Sequence, residues 1–355
     1  MNAEQSHTDI LILGAGLCGL VTAYYLRQSG LSIRILEART RPGGRIHTIQ
    51  TENATRIEMG ATWLGQKHRH LNTLLQELEL GIEPQFLGAH AIFEPISTSP
   101  PQLVDLPPNE DPSFRIKGGS IRLIESLLAS LDHVTINYQQ RVSELVYSEK
   151  GWKVKTDQDR FRSDLIISTL PPKLLVSNID FSPSLPSALL DVAQQTHTWM
   201  GESIKVGLSF PEAFWRKGKN SGTIASNVGP ITEMYDHTSE DGFALKGFMN
   251  GAFHATSLPE RRKLALDQLE KYYGSQAIHA ASYHECVWRE EPFTFVPYDA
   301  PILPHQFNGE AIFREPLYQN SFYLSGSETA ISFPGYMDGA VERGLEVAQQ
   351  IMRST

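Results

Sequence analysis

Three glycines near the amino terminus have the spacing of a phosphate-binding turn. Gly14, Gly16 and Gly19 follow the apolar run ILIL and precede the helix-forming stretch LVTAYYLRQ. A pyrophosphate can bind at the amino end of a helix when the first glycine makes a tight turn, the second leaves the backbone bare and the third lets the helix pack closely. The spacing therefore predicts a strand, a turn and a helix that bind a dinucleotide. The alternative is an ordinary strand-helix turn in which the glycines coincide with the motif by chance.

An acidic residue at the end of the next predicted strand favours the dinucleotide site. Glu37 closes the run LSIRILEA, eighteen positions after Gly19. The dinucleotide fingerprint places at this distance an acid that hydrogen-bonds a ribose hydroxyl. Its negative charge would repel a phosphorylated ribose, so NADP is disfavoured.

A second glycine cluster directly after this acid favours a flavin. The stretch EARTRPGGRIHT places Gly43, Gly44 and Arg45 just after Glu37. A flavin dinucleotide is long, and small residues and cations beside its phosphates help to hold it along its whole length. The alternative interpretation of this stretch is a basic surface turn.

Taken in order, GAGLCGL, EARTRPGGR and EMGATWLG resemble the motifs of the flavin-containing amine oxidase family, the group of monoamine and polyamine oxidases. The stretch YLSGSETAISFPGYMDGAVERGLEVAQQI is similar to that family's closing strand and helix. The resemblance implies an α/β fold: a Rossmann-like FAD-binding domain of the GR2 type with a second, smaller β-rich substrate domain. It also implies hydride transfer from an amine to flavin N5, with O2 as acceptor and H2O2 as product.

The resemblance further implies which residues bind FAD. Gly326 and Glu328 would meet the ribityl and phosphate part, Val142 the adenine end, and Met337 the ring, where a helix dipole stabilises negative charge. No cysteine occurs in FTFVPYDAP, where some members tether the flavin, so FAD is expected to be non-covalent. The complete predicted set is Gly14, Gly16, Gly19, Glu37, Ala38, Arg39, Gly43, Gly44, Arg45, Gly60, Ala61, Thr62, Trp63, Val142, Gly326, Glu328, Tyr336 and Met337.

Three side chains are predicted to act at the reacting centre. Lys205 is the one lysine in the strand-like run SIKVGLSF. A single lysine in such a strand usually faces outward into solvent, but the resemblance implies that Lys205 holds a water at flavin N5. Tyr336 would form one wall of an aromatic cage for the amine, and Trp288 would pack at the ring's edge; the alternative is that both are core aromatics. The second wall falls at Thr294 or Phe295.

The chain is expected to divide into two domains. Residues 1–79, 118–200 and 289–355 would bind FAD, and residues 80–117 and 201–288 would form the substrate domain. The family's long helical insert before IKGG is missing, so the roof of the pocket is reduced, and the proline-rich stretch between Glu94 and Arg115 is predicted to be a loop that could act as a lid. The run LPERRKLALDQLEKYYG predicts a helix that packs through Leu264, Leu266, Leu269 and Tyr272.

Composition limits the remaining possibilities. A net charge of -9 disfavours nucleic acid as a partner, and two distant cysteines offer neither a disulfide framework nor a metal pair. The polar start and the lack of a long apolar run predict a cytoplasmic protein with no membrane span. The histidines show no metal-ligand spacing, so no metal is expected, and the oligomeric state stays open. Two other functions are considered: FAD-dependent dehydrogenation of carbon–carbon bonds, as in desaturases and protoporphyrinogen oxidases, and a binding or scaffold protein that retains FAD.

Overall fold

A computed structural model describes residues 7–218 and 221–354, so the polar start at residues 1–6 lies outside it. In chain order the strands are β1 His7–Leu13, β2 Ile33–Leu36, β3 Thr48–Gln50, β4 Arg56–Glu58, β5 Trp63–Leu64, β6 Ile82–Pro84, β7 His90–Glu94, β8 Gln102–Asp105, β9 Phe114–Ile116, β10 Thr135–Asn137, β11 Val142–Ser148, β12 Gly151–Thr156, β13 Arg160–Ser168, β14 Asp180–Ser182, β15 Ile204–Phe210, β16 Ile224–Ser226, β17 Ile231–Asp236, β18 Phe243–Met249, β19 Ser282–Val287 and β20 Phe322–Leu324. The α-helices are α1 Leu17–Leu26, α2 Arg69–Glu77, α3 Ile121–Ala129, α4 Pro172–Asn178, α5 Ser187–Gln194, α6 Leu258–Tyr273 and α7 Met337–Ser354.

The first sheet carries the glycine turn. Its strands lie in the order β10-β2-β1-β13-β12-β11-β14, with β20 pairing with β13. Strands β2, β1, β13 and β20 run parallel, so their carboxyl ends share one edge. The apolar run of β1 is almost fully buried, as expected for a parallel strand covered on both faces. The sheet therefore brings the turn after β1 beside the segments that follow β2, β13 and β20.

The second sheet is the predicted β-rich region. Its order is β19-β15-β18-β17-β16-β7-β8, and its pairs are antiparallel except for β16 with β7. Helix α6 packs against one face, where Ala265 and Leu269 meet the apolar side chains of β15, β17 and β18. The opposite face of β15 lies against Ile57 and Met59, which approach the backbone of Gly207. Strand β15 is consequently buried along its whole length.

The predicted packing face of α6 is wrong only for Leu264, which is half-buried and does not join the core beneath the helix. Leu269 is buried, and Leu266 and Tyr272 pack against the same core. The helix also buries Arg261 and Gln268. Arg261 pairs with the buried carboxylate of Glu285, and the Gln268 side chain bonds both backbone groups of Ile231. Because long polar side chains can be buried once they are hydrogen-bonded, apolar periodicity alone did not reveal the polar part of this face.

The prediction of a continuous loop between Glu94 and Arg115 is also wrong. Strand β8 forms a hairpin with β7 at the edge of the second sheet, and β9 pairs with β5 and β6. An edge strand pairs on one side only, so prolines beside it remove no ladder bond. For this reason a proline-rich composition did not prevent a short strand here.

Candidate functional site

One elongated cleft follows the shared edge of the parallel strands. The space within it, part of which is open to solvent, is about 1130 Å³. The predicted cofactor residues that line it are Gly14, Gly16, Glu37, Ala38, Arg39, Gly43, Gly44, Arg45, Ala61, Val142, Tyr336 and Met337. The others, Gly19, Gly60, Thr62, Trp63, Gly326 and Glu328, lie outside the lining.

The cleft also contains residues that the sequence analysis did not select. Thr169, Leu170 and Pro171 follow β13, and the Thr169 amide donates to Leu13 O. Pro292 and Phe293 also line the cleft, next to Thr294, which the sequence analysis had named for the second aromatic wall. Arg39 Nη2 donates to Thr294 Oγ1 over 2.7 Å. The pairing of β13 with β1 places Thr169, Leu170 and Pro171 beside the glycine turn. Because this pairing joins segments that are distant in sequence, no local motif marks these residues.

The three glycines of the first turn have different physical roles. Gly14 has a φ of +104°, which a residue with a side chain rarely adopts. A Cβ on Gly19 would lie 2.1 Å from Gly14 O, whereas a Cβ on Gly16 would meet nothing within 4 Å. Gly16 caps α1 without a side-chain hydrogen bond. The second glycine thus leaves bare backbone at the cleft and the helix amino end open to an anion, which fits a phosphate.

This contrast gives a first prediction. Gly16→Ala is expected to leave the thermal stability of the FAD-free protein nearly unchanged while weakening FAD by about tenfold or more, since its methyl group occupies the phosphate position. Gly19→Ala is expected to lower the stability of the FAD-free protein, because its methyl group strikes the turn. Thermal unfolding and FAD titration of both variants measure this. A Gly16→Ala protein that binds FAD as the parent does would contradict the assignment.

Glu37 is fixed at the wall of the cleft by backbone donors. It is buried; its Oε2 accepts from Ala15 N and its Oε1 from Arg39 N, each over 2.8 Å. A carboxylate oxygen can accept a second hydrogen bond. Glu37 is therefore oriented and still able to accept from ribose hydroxyls, which agrees with its predicted role.

An ion pair joins the second glycine cluster to the chain's last strand-turn-helix. Arg45 Nη2 donates to Glu328 Oε2 over 2.9 Å and to Ser327 Oγ over 2.8 Å. Burial raises the pKa of Glu328, but the charge and hydrogen bond of Arg45, together with hydrogen bonds from Ser327 and the backbone, hold that pKa below its usual value. Since Arg45 lines the cleft and Glu328 lies behind it, the geometry lets Glu328 act by orienting Arg45.

Tyr336 lies at the mouth of the cleft in a group of near-parallel rings. Its ring centroid is 5.9 Å from that of His305, with 9° between the planes, and 5.4 Å from that of Trp199. Trp199 and His305 stack at 3.9 Å. Of the predicted second-wall residues, Thr294 hydrogen-bonds Arg39 and Phe295 packs against Tyr298. The rings beside Tyr336 thus come from segments that no local motif marked.

Lys205 is buried in β15, so the simple interpretation of an outward-facing lysine is wrong. Its Nζ lies 3.9 Å from the Phe248 ring centroid and 5.1 Å from that of Trp63. Burial lowers its pKa to about 8. Trp288 is also buried, and its indole N–H donates to Met59 O over 2.9 Å. Neither residue lines the cleft, so their predicted roles beside the flavin stay predictions.

The chain matches a known protein family over most of its length. A family model described as flavin containing amine oxidoreductase matches residues 17–99 and 96–352. A probable flavin-containing monoamine oxidase A of Dictyostelium discoideum is 26% identical over 452 positions, covering 97% of each chain. The flavin-containing amine oxidase B of Bos taurus is 24% identical over 460 positions, covering 99% of this chain and 87% of the relative. These alignments exceed the 355 residues of this chain, so the relatives carry segments that it lacks.

Solved structures show the same fold. A putrescine oxidase with bound putrescine has a TM-score of 0.84 at 22% identity, covering 99% of this chain and 100% of the other. Cyclohexylamine oxidase from Brevibacterium oxydans has a TM-score of 0.83 at 19% identity, covering 98% and 99%. The predicted fold class is therefore confirmed.

Proposed function

The chain belongs to the family of flavin-containing amine oxidoreductases, and from that premise we propose that it oxidises the carbon–nitrogen bond of a small amine. FAD is the cofactor of this family. The observation that carries the proposal is one cleft whose lining includes the glycine turn, Glu37 and Tyr336, with Trp199 and His305 beside Tyr336. This arrangement supports a dinucleotide site that adjoins an amine-binding surface.

When bound, FAD would supply a two-electron acceptor for a hydride from the carbon beside nitrogen, and we propose O2 as the final acceptor, with H2O2 as product. We propose that FAD is held without a covalent bond. Cys18 lines the cleft, but its thiol donates to Ser325 O, and burial raises its pKa to about 11. Burial also raises the pKa of Cys286 to about 12. Neither thiol is a ready nucleophile at neutral pH.

The rings of Tyr336, Trp199 and His305 would bind the amine. Aromatic faces attract a cation and can align a neutral nitrogen. Burial lowers the pKa of His305, opposed by the charge of Glu328, so its imidazole is neutral near pH 7 and does not repel an ammonium. Tyr336 keeps 37% of its surface exposed, which leaves the group accessible from solvent.

Lys205 and Trp288 complete the proposed site. We assign Lys205 to holding a water molecule with its ammonium, and Trp288 to packing at the edge of the ring. The remaining predicted FAD residues outside the cleft, such as Gly60 and Glu328, would shape it from behind: a Cβ on Gly60 would lie 2.0 Å from Arg45 O. Val142 lines the cleft and is proposed to meet the adenine end.

We also propose the division into an FAD-binding domain of residues 1–79, 118–200 and 289–355 and a substrate domain of residues 80–117 and 201–288. The strand membership of the two sheets supports it. Residues 95–113 do not line the cleft, although Lys67 Nζ donates to Asp111 Oδ2 over 2.6 Å. Closure of the cleft by this segment or by a partner chain stays a proposal. A cytoplasmic location is also a proposal. No helix within residues 7–218 and 221–354 has the length and apolar character needed to cross a bilayer.

Anaerobic mixing with candidate substrates tests the function. Amines are expected to bleach the flavin absorption, and admitting O2 is expected to restore it with one H2O2 per flavin. Dithionite reduction of the same sample controls for a redox-competent flavin. Bleaching by cyclic alkenes and not by amines would favour carbon–carbon dehydrogenation. A flavin that dithionite reduces but none of the primary amines, polyamines and amino acids reduces would favour the binding-protein interpretation.

A further inference from the structure

A second buried lysine lies beside Lys205. In the antiparallel pair of β15 and β18, Lys205 is opposite Phe248 and Gly207 is opposite Lys246. Lys205 and Lys246 therefore project from the same face as diagonal neighbours, a spacing that long side chains can bridge. Lys246 has no exposed surface, and the register brings the two amines close enough for the charge of one to act on the other.

Both amines lie on the ring of Trp63. Lys246 Nζ is 3.7 Å from the ring centroid and Lys205 Nζ is 5.1 Å from it. Lys246 also donates to the Thr62 hydroxyl, and the Trp63 indole N–H donates to Gln85 Oε1 over 2.8 Å. The ring and the hydroxyl thus fix Lys246 relative to Lys205.

The groups packed around this pair are mostly basic. Arg115 on β9 and His237 after β17 are buried beside it, and their side chains contact each other over 3.0 Å. The buried carboxylate is that of Glu58 on β4, which already accepts from Ser120 N and Thr48 Oγ1. Glu233 on β17 and Cys286 on β19 act on Lys205 from its other sides. Two ammonium groups this close together would repel each other strongly, because burial removes most of the screening by water.

We propose that Lys205 and Lys246 carry one proton between them, with the Lys205 ammonium donating to the free amine of Lys246, so that Lys246 is the positioning residue for Lys205. A free amine has one lone pair for Lys205 and N–H groups for Thr62, so every contact is satisfied. Burial, with the charge of Lys205, lowers the pKa of Lys246 well below its usual value. Burial lowers the pKa of Lys205 only to about 8, so we assign the shared proton to Lys205 at neutral pH. Any effect of the shared proton on the rate of amine oxidation rests on the proposed function, but the sharing itself does not.

Nuclear magnetic resonance of FAD-loaded protein with 13C at lysine Cε, without substrate, tests this directly. Lys205→Met and Lys246→Met assign the two signals. One signal is expected to titrate near pH 8, and the other is expected to keep the shift of a neutral amine over the range in which the protein stays folded. Two ammonium signals at pH 7 would overturn the proposal. Because the readout needs no substrate, an inactive protein can still confirm the shared proton.

Two variants separate positioning from packing. Lys246→Met removes the acceptor and is expected to lower the pH at which Lys205 titrates by about one unit. Lys246→Gln keeps an acceptor oxygen and is expected to hold that pH close to the parent's. Lys153→Met, which alters an exposed lysine of β12, is the control. The proposal is overturned if Lys205 titrates at the parental pH in folded Lys246→Met, or if the pH of its titration falls equally in both variants. If Lys246→Met does not fold, the titrations of the parent and of Lys246→Gln still decide the proposal.

Discussion

Glu37→Arg is expected to yield protein that does not retain FAD. The guanidinium would face the Ala15 and Arg39 amides, which now donate to the carboxylate, and the ribose hydroxyls would lose their acceptor. Loss of two buried, charge-assisted hydrogen bonds weakens FAD by roughly 2–4 kcal/mol. Acid precipitation, followed by fluorescence of the released FAD, measures occupancy; the parent is expected to release all of its flavin.

The control for this variant is Glu149→Arg, which makes the same charge change at an exposed turn and is expected to retain FAD. Glu37→Gln separates charge from folding: it preserves the side-chain shape and is expected to fold and to bind FAD with an affinity between those of the parent and Glu37→Arg. Thermal unfolding of the FAD-free proteins establishes that each is folded. A folded Glu37→Arg protein with parental occupancy would contradict the role of Glu37.

Features encoded by neighbouring residues could be predicted from the sequence. The glycine turn depends on the conformation at Gly14 and on the space around Gly16 and Gly19, so residue type and spacing determine it. The same holds for Gly43 and Gly44, which both adopt positive φ angles. Such motifs are local, and the sequence alone therefore located one wall of the cleft.

Features that depend on pairing between distant segments could not be predicted. Trp199 and His305 reach Tyr336 only because three separate segments meet at one mouth of the cleft. Lys246 meets Lys205 through the register of β15 and β18, which no local spacing encodes. The burial of Lys205 has the same origin, since both faces of β15 are covered by elements remote in the chain. A lysine in a short strand is exposed or buried according to those partners.

Lys205→Met is expected to change the reactions of the flavin more than its binding. Methionine keeps a stem of similar length in a buried position, so the FAD spectrum and occupancy are expected to stay nearly parental. Removal of a positioned donor of this kind costs ~10² or more in rate. Stopped-flow measurement is expected to show that fall in flavin reoxidation by O2 and a smaller fall in anaerobic reduction by substrate.

The pH dependence of reoxidation tests the same role by a second route. Burial lowers the pKa of Lys205 to about 8, so the ammonium is present below that pH and lost as the pH rises through it. The parental rate is therefore expected to fall across about pH 8, whereas Lys205→Met is expected to be flat there, and Lys153→Met is expected to follow the parent. A lost donor predicts a rate change of ~10². If both half-reactions of Lys205→Met instead stay within about twofold of the parent and the pH profile is unchanged, Lys205 is a structural lysine and its proposed role beside the flavin is wrong.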